Sequence, residues 1–182
     1  MQCRHGVYSM SHRIDGQITL NDQSFDFHNG IGYIESDSGY SFPKRYIWTQ
    51  CCFENGSLML SVADIPVLGF HFTGIIGVIL LNGREYRIAT YLRARVKRIG
   101  ENAVTVKQGE YEFTAELLKK NAHPLFAPTN GDMNRTIHES ASCQARYRFS
   151  HKNVGLGDFV SEKASFEFEY FDTGSAWETA SN

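Results

Sequence analysis

The strongest constraint on the fold is a repeated alternation of apolar and polar residues, interrupted by tight-turn signals. Along residues 110–117 the apolar side chains fall on odd positions and the polar ones on even positions, and residues 164–170 show the same period of two. Strand side chains point alternately to two faces, so this pattern is typical of half-buried antiparallel strands. Asn55-Gly56 and Asn82-Gly83 each separate two such runs, and Asn-Gly is typical of tight hairpins.

Nine or ten such runs joined by short turns, with no capped amphipathic helix, predict an all-β protein. We expect one antiparallel meander barrel, closed or nearly closed, with room inside for one small ligand. The chain of 182 residues is long enough to bury a real core. We therefore predict a single barrel domain over residues 1–171 and a flexible C-terminal tail over 172–182. Residues 65–69 and 122–133 lack the alternation and are predicted to be irregular loops.

Composition excludes several classes of protein. The formal net charge is −2, from 18 Lys+Arg and 20 Asp+Glu, which does not favour general nucleic-acid binding. The longest apolar stretch, Ile75 to Leu81, is far shorter than the ~20 residues of a transmembrane helix. The start of the chain lacks a basic region followed by an apolar run, so a cytoplasmic location is expected, with a membrane-peripheral one as the alternative.

Cysteine and histidine spacing gives no sign of a metal or a cofactor. The four cysteines lack Cys-x-x-Cys spacing, and the seven histidines form no closely spaced pair. We expect free thiols, no metal and no bound cofactor.

Two acidic residues are the first candidate site. If residues 33–37 are extended, Tyr33, Glu35 and Asp37 share one face. Two neighbouring carboxylates push their pKa values apart, which leaves one of them as a proton donor near neutral pH. Ordinary surface charges remain the alternative interpretation.

The next strand carries Tyr46, Trp48 and Gln50 on one face. An aromatic surface with a single amide suits an apolar ligand that has a polar end. A well-packed barrel core would show the same pattern, so both interpretations stay open. Asp64 precedes Ile65-Pro66 at a strand end, where an Asp often caps a turn.

Glu139 is an anomaly in its strand. Alternation places it on the face of Ile137, Cys143 and Tyr147, which is otherwise apolar. A carboxylate on such a face must be paired, protonated or at the mouth of a pocket. Arg135, four positions earlier and on the same predicted face, is the expected partner. A structural ion pair and a functional role are both open.

The run from Gly69 to Leu81 is apolar on both faces. A strand of this kind has its outer face covered by a loop, a second domain or another subunit. We therefore predict a partner surface here, used to form a homodimer.

An ordered series of short segments resembles the core motif of the tocopherol cyclase family. The segments are Gly32-Tyr33-Ile34-Glu35-Ser36-Asp37, Ser41-Phe42-Pro43, Tyr46-Ile47-Trp48-Thr49-Gln50 and Ala63-Asp64-Ile65-Pro66, followed by Phe72-Thr73-Gly74 and Tyr86-Arg87-Ile88-Ala89-Thr90-Tyr91. The likeness runs from about Cys3 to Tyr170. Family members resemble two lipocalin-like barrels in tandem, and this chain is similar to the second half alone. The resemblance implies a lipocalin-like, calycin-type β-barrel.

The resemblance also implies a chemistry. Plant members close the chromanol ring of vitamin E by protonating an alkene of a prenylated hydroquinone, and the phenol oxygen captures the resulting tertiary cation. Glu35 matches the family's acid and Asp37 its companion. Trp48 and Gln50 match an aromatic-amide pair, and Asp64 matches the Asp of the Ala-Asp-Ile-Pro segment.

Three functions follow as hypotheses. The first is a protein that binds a prenylated quinol or a related isoprenoid or lipid in a barrel pocket and cyclises it, with Glu35 or Asp37 as acid. The second is a non-catalytic lipid carrier on the same fold. The third is an interaction module whose barrel is filled by its own aromatic side chains. Departures from the plant motif at Ser38 and Cys52 leave the substrate open.

Overall fold

The computed structural model describes residues 3–67 and 69–170, and these residues form twelve β-strands and one short 3-10 turn, η1 (Thr90–Leu92). The strands are β1 (Cys3–Leu20), β2 (Gln23–Gly39), β3 (Tyr46–Phe53), β4 (Gly56–Val67), β5 (Phe70–Leu81), β6 (Arg84–Ala89), β7 (Arg95–Ile99), β8 (Ala103–Gln108), β9 (Tyr111–Lys119), β10 (His123–Thr129), β11 (Asp132–His151) and β12 (Val154–Glu169). The predicted all-β class is confirmed. The predicted tail over 172–182 lies outside the described residues, and the single-domain organisation stays a prediction.

Ten strands form one antiparallel sheet, and two form a separate hairpin. The order in the large sheet is β6-β5-β4-β3-β12-β11-β9-β8-β7, and β10 pairs with the first part of β11. The second part of β11 pairs with β9. Strands β1 and β2 pair only with each other; we call this pair the hairpin arm.

The large sheet curls until its two ends approach each other. Gln108, at the end of β8, accepts a hydrogen bond from the Ala89 N–H at 3.0 Å and donates one to the Arg87 carbonyl at 2.8 Å. This single side chain therefore links β8 to β6. Within the described residues no ladder joins β6 to β7, so the closed form of the predicted barrel is not found.

The enclosed side of the curled sheet is filled by its own side chains. Tyr147, Phe113 and Phe166 are among the largest fully buried residues, and they belong to one continuous apolar cluster. Thr49 and Tyr147 share a buried hydroxyl–hydroxyl hydrogen bond of 2.6 Å. The ligand chamber expected on this enclosed side is therefore occupied by protein, because aromatic rings from neighbouring strands fill the space.

The two Asn-Gly pairs behave differently. Asn82 and Gly83 have φ angles of 51° and 76° and form the predicted tight turn between β5 and β6. Gly56 instead opens β4, one residue beyond the turn. A Cβ at Gly56 would lie 1.8 Å from the Leu80 carbonyl oxygen, so this glycine permits a close approach of two backbones.

Both segments predicted to be irregular are largely strand. Strand β4 continues to Val67, and residues 123–129 form β10. A turn at Asn130 and Gly131, with φ angles of 55° and 94°, folds β10 back onto β11. The prolines favoured the loop interpretation, but β10 pairs through one edge only and tolerates them.

The structure also describes the cysteines, the absence of a long apolar helix among the described residues, and the predicted partner surface on β5. The four cysteines are free, as expected. Among the described residues no helix is long and apolar enough to cross a membrane. Phe70, Phe72 and Ile76 on β5 are all exposed, at 80%, 47% and 45%, and Ile76 also lines the cleft described below. The homodimer through this strand stays a prediction.

Candidate functional site

A line of five residues crosses the outer face of the sheet. Strand pairing sets Ile76 opposite Ser61, Ser61 opposite Trp48, Trp48 opposite Glu167, and Glu167 opposite Glu139. Directly opposed residues of antiparallel strands point to the same face, so these side chains stand next to one another. We call this line the outer row. It lies on the face opposite the buried core.

A cavity of about 420 Å³, which we call the cleft, lies between the outer row and the hairpin arm. Its volume falls within the range usual for small-molecule sites. The described residues that line it are Cys3, His5, Glu35, Asp37, Ser41, Phe42, Pro43, Tyr46, Trp48, Ser61, Ala63, Asp64, Ile65, Pro66, Val67, Gly74, Ile76, Glu139 and Glu167. The floor comes from the sheet, and the opposite wall comes from both strands of the arm.

The charge of the cleft is one-sided. Its described lining includes five carboxyl groups, from Glu35, Asp37, Asp64, Glu139 and Glu167, and contains no lysine or arginine. His5 is the one lining side chain of this described set that can become a cation. The remaining lining is mostly apolar or aromatic. The carboxyl groups therefore act in surroundings of low polarity, where their electrostatic effect is stronger than in water.

The wall formed by the hairpin arm carries a hydrogen-bonded group of ionisable side chains. His5 Nδ1 lies 2.8 Å from Asp37 Oδ1, and His5 Nε2 lies 3.5 Å from Glu35 Oε2. The Tyr33 hydroxyl donates to Glu35 at 2.7 Å. Burial raises the pKa of Glu35, and the Tyr33 hydrogen bond, His5 and Trp48 offset part of that rise. Burial alone would lower the pKa of His5, but Asp37 and Glu35 together raise it.

The sheet floor carries the most perturbed acid of the cleft. Burial raises the pKa of Glu167 to about 7, and the charges of Glu139, Asp37 and Glu169 add to the rise. A hydrogen bond from the Tyr46 hydroxyl opposes it. Glu167 is therefore partly protonated at neutral pH, which is the state that general-acid catalysis requires.

Two buried polar atoms at the cleft have no hydrogen bond among the described residues. They are Nε1 of Trp48 and Nε2 of His5. The Trp48 indole nevertheless lies close enough to Glu35 to lower the pKa of that carboxyl. Both atoms are closed off from the open cleft, and both lie against the Glu35 carboxyl, with His5 Nε2 3.5 Å from Glu35 Oε2.

Other reactive chemistries fit the cleft less well. Burial, followed by the charge and hydrogen bond of Asp37, raises the pKa of the Cys3 thiol to about 11. A thiol in that state is a poor nucleophile at neutral pH. Within residues 3–67 and 69–170, no three His, Cys, Asp or Glu side chains are arranged to hold a metal ion.

Most of the residues selected from the sequence meet at the cleft. Six line it directly: Glu35, Asp37, Tyr46, Trp48, Asp64 and Glu139. Tyr33 contacts the cleft through Glu35. The Gln50 amide instead donates to the Cys52 sulfur at 3.2 Å, away from the lining.

Asp64 and Arg135 have structural partners. Asp64 is 6% exposed and pairs with Arg45 at 2.7 Å. Arg135 donates to the Pro43 carbonyl at 2.7 Å, lies 5.9 Å above the Tyr46 ring and pairs with Glu169 at 3.8 Å. The expected pair between Arg135 and Glu139 is thus replaced by one with Glu169.

The predicted face of Glu139 is wrong. Glu139 lies on the outer face, whereas Cys143 and Tyr147 lie in the core. Between Ser140 and Cys143 the pairing with β12 advances three residues on β11 for two on the partner strand. This β-bulge inserts one extra residue and reverses the alternation, so simple periodicity assigned Glu139 to the wrong face.

Sequence reasoning missed His5 and Glu167. His5 belongs to a strand that pairs only within the hairpin arm, and nothing local indicates that the arm covers the sheet. Glu167 occupies the polar side of a regularly alternating strand, which usually faces water. One signal was available in the neighbouring strand. Tyr46 and Trp48 lie on the same outer face as Glu167, and such large aromatic residues indicate that this face is covered.

The fold and cleft define an all-β protein with an acidic, aromatic-lined site on the outside of a curled sheet. A scan against protein-family models and a search of curated proteins gave no match. Among solved structures, the chain is similar to kievitone hydratase from Nectria haematococca, with a TM-score of 0.53 and 9% sequence identity. The alignment covers 92% of this chain and 53% of that one, so this chain spans about half the length of the hydratase. At this identity the likeness shows the fold alone.

Proposed function

We propose that the cleft binds a prenylated phenol or a related isoprenoid and catalyses acid-initiated addition to one of its alkenes. The observation that carries the proposal is the group of carboxyls in a low-polarity cavity, of which Glu35 and Glu167 have raised pKa values. The resemblance to the tocopherol cyclase family supplies Glu35 and Asp37 as candidate acids. The curled antiparallel sheet supports a lipocalin-like barrel as the fold.

Protonating an alkene needs a neutral acid, which an ordinary surface carboxylate is not. Burial disfavours the charged form of a carboxyl group and so preserves its proton near neutral pH. Glu167 is partly buried with a pKa of about 7 and meets this condition. Burial raises the pKa of Glu35, whose side chain is 17% exposed, in the same direction. Apolar lining residues keep bulk water away from a reactive cation.

The cleft is also suited to the cation that such a protonation creates. Trp48 and Tyr46 provide aromatic faces, which attract positive charge. Carboxylates that stay ionised stabilise the same charge over a longer range. A site lined by lysine or arginine would repel it.

The fold-level likeness to a hydratase is compatible with this chemistry. Addition of water and addition of an internal phenol both begin by protonating an alkene and differ in the oxygen that captures the cation. Ring closure is favoured here by the resemblance of the motif segments, and hydration remains the alternative outcome of the same site.

A binding and turnover experiment with geranylhydroquinone tests the proposal. The chain has two tryptophans, and Trp177→Phe leaves Trp48 as the one reporter. We expect the probe to quench Trp48 fluorescence and to yield a cyclised product of unchanged mass or a hydrated product heavier by one water. Ser61→Phe should fill the cleft and abolish quenching, whereas the same change at the exposed Ser24 should not.

The outcomes separate the three hypotheses. Product formation supports the enzyme. Quenching without product on long incubation refutes catalysis and leaves a lipid carrier. If the probe quenches Trp48 neither in the protein with Ser61 nor in Ser61→Phe, ligand binding is refuted and an interaction module is left.

A further inference from the structure

We propose that Glu167, on the sheet floor, is the proton donor of the cleft. This inference rests on the proposed function and places the donor on the sheet rather than on the hairpin arm. Glu167 does not belong to the segments that resemble the tocopherol cyclase motif.

The surroundings of Glu167 favour its neutral form on geometric grounds. Its one hydrogen-bond donor among the described residues is the Tyr46 hydroxyl, which carries no charge. Glu139 stands directly opposite it in the outer row. Arg135 pairs with Glu169 instead. A carboxyl beside another carboxyl and without a cationic partner holds its proton more tightly.

The two carboxyl oxygens of Glu167 have different surroundings. Oε2 accepts the hydrogen bond from Tyr46, so Oε1 is left to carry the acidic proton. The side chain lines the cleft next to Trp48, its opposed neighbour in the outer row. A cation formed beside Glu167 therefore arises next to the indole ring, which stabilises it.

The acids of the hairpin arm differ from Glu167 because they share a histidine. His5 Nδ1 lies 2.8 Å from Asp37 Oδ1, and His5 Nε2 lies 3.5 Å from Glu35 Oε2. Nε2 is closed off from the cleft, and the two carboxyls together raise the pKa of the imidazole. Asp37 and Glu35 therefore face a group that can carry positive charge, whereas Glu167 does not, which favours Glu167 as the acid that keeps its proton.

The proposed step balances without a further reagent. The O–H bond of Glu167 breaks, and its hydrogen forms a C–H bond to the less substituted alkene carbon with the π-electron pair. The other carbon becomes a tertiary cation. The oxygen of the substrate's phenol, or of a water molecule, forms a C–O bond to it, and the O–H proton passes to solvent. A proton from solvent then restores Glu167.

Carboxyl titration provides a test that does not depend on turnover. In protein labelled with ¹³C at the glutamate carboxyls, NMR should show one resonance that titrates near neutral pH. It should disappear in Glu167→Gln and persist in Glu162→Gln, which makes the same change at an exposed site of the same strand. A neutral-titrating resonance that survives in Glu167→Gln overturns the assignment.

Turnover of geranylhydroquinone supplies the second test. We expect Glu167→Gln to lower the rate by about 10²–10⁴-fold, as for loss of a general acid, while Trp48 quenching shows affinity within about threefold. Glu162→Gln should match the wild type.

Different results would overturn the proposed function and the assignment of Glu167 as its proton donor. Wild-type activity that persists in Glu167→Gln overturns the donor and leaves the proposed function in place. A wild type that binds the probe and forms no product overturns the proposed function. If Glu35→Gln lost activity and Glu167→Gln did not, Glu35 on the hairpin arm would be the proton donor, and this inference would be overturned.

Discussion

Tyr46 donates a hydrogen bond to Glu167 from a diagonal position on the neighbouring strand. In the pairing of β3 with β12, Trp48 stands opposite Glu167 and Tyr46 stands opposite Glu169. The Tyr46 hydroxyl therefore bonds to the residue two positions before its own pairing partner. Arg135 lies over the Tyr46 ring but pairs with Glu169. Glu167 thus receives a hydrogen bond and no positive charge, which is the combination that preserves its proton.

The raised pKa of Glu167 predicts a pH-dependent stability. The folded-state pKa of about 7 lies above the ordinary value of 4.5, so between these values the folded state binds more protons than the unfolded state. Stability should therefore fall as pH rises through this window. The groups facing Glu167 are Tyr46, Glu139 and Asp37, with Glu169 on its own strand.

Glu167→Gln should remove this fall. From pH 5 to pH 8, the free energy of unfolding of the variant should gain about 1–3 kcal/mol relative to the wild type. Urea denaturation at the two pH values measures the difference. Glu162→Gln is the control and should follow the wild type. Parallel pH dependence in the wild type and Glu167→Gln would show that Glu167 titrates normally.

The filled interior predicts a large cost for truncating a core aromatic. Phe166 is 1% exposed within the central cluster, so Phe166→Ala should lower the free energy of unfolding by about 3–5 kcal/mol. Phe126 is 71% exposed, and Phe126→Ala should change it little. Urea denaturation compares the two variants. Equal, small losses would indicate that the enclosed side is an open chamber after all.

The close backbone approach at Gly56 predicts that even a methyl group is not tolerated. A Cβ there would meet the Leu80 carbonyl at 1.8 Å, so Gly56→Ala must move β4 away from β5. We expect a loss of about 1–3 kcal/mol or more. Gly155 has open space around its Cβ position, and Gly155→Ala should be close to neutral. Thermal melts that rank the two variants in the reverse order would contradict the observed register.

The link made by Gln108 predicts a local effect at the end of β6. Gln108→Ala removes the acceptor of the Ala89 N–H, and Ala89 is buried. We expect a loss of about 1–3 kcal/mol and faster hydrogen exchange at the Ala89 amide. Gln17→Ala, which removes an exposed amide bonded to Asp26, should do neither. Unchanged exchange at Ala89 would mean that the sheet ends are held by other contacts.

Local chemistry explains how much of the fold could be predicted. The period of two identified the regular strands because each side chain's direction follows from its own backbone. The same reasoning placed Tyr33, Glu35 and Asp37 on one face, and the structure shows Glu35 and Asp37 in one cleft. Asn82 and Gly83 formed the expected turn because their positive φ angles are a local preference.

The site itself depended on relations that are not local. The bulge after Ser140 moved Glu139 to the outer face, and a bulge is a property of two paired strands. The hairpin arm brought His5 over the sheet from the start of the chain. The perturbed acidity of Glu167 required burial together with the charges of carboxyls from other strands, Glu139 on β11 and Asp37 on the arm.

By itself, the sequence determined an antiparallel all-β chain whose acidic and aromatic residues recur on shared strand faces, because alternation and turn preference act over a few neighbouring residues. The tertiary structure decided which face became core, where the cleft lies and which carboxyl keeps its proton. Those properties depend on desolvation and on charges brought together from distant parts of the chain, and both arise only when the arm and the sheet pack against each other.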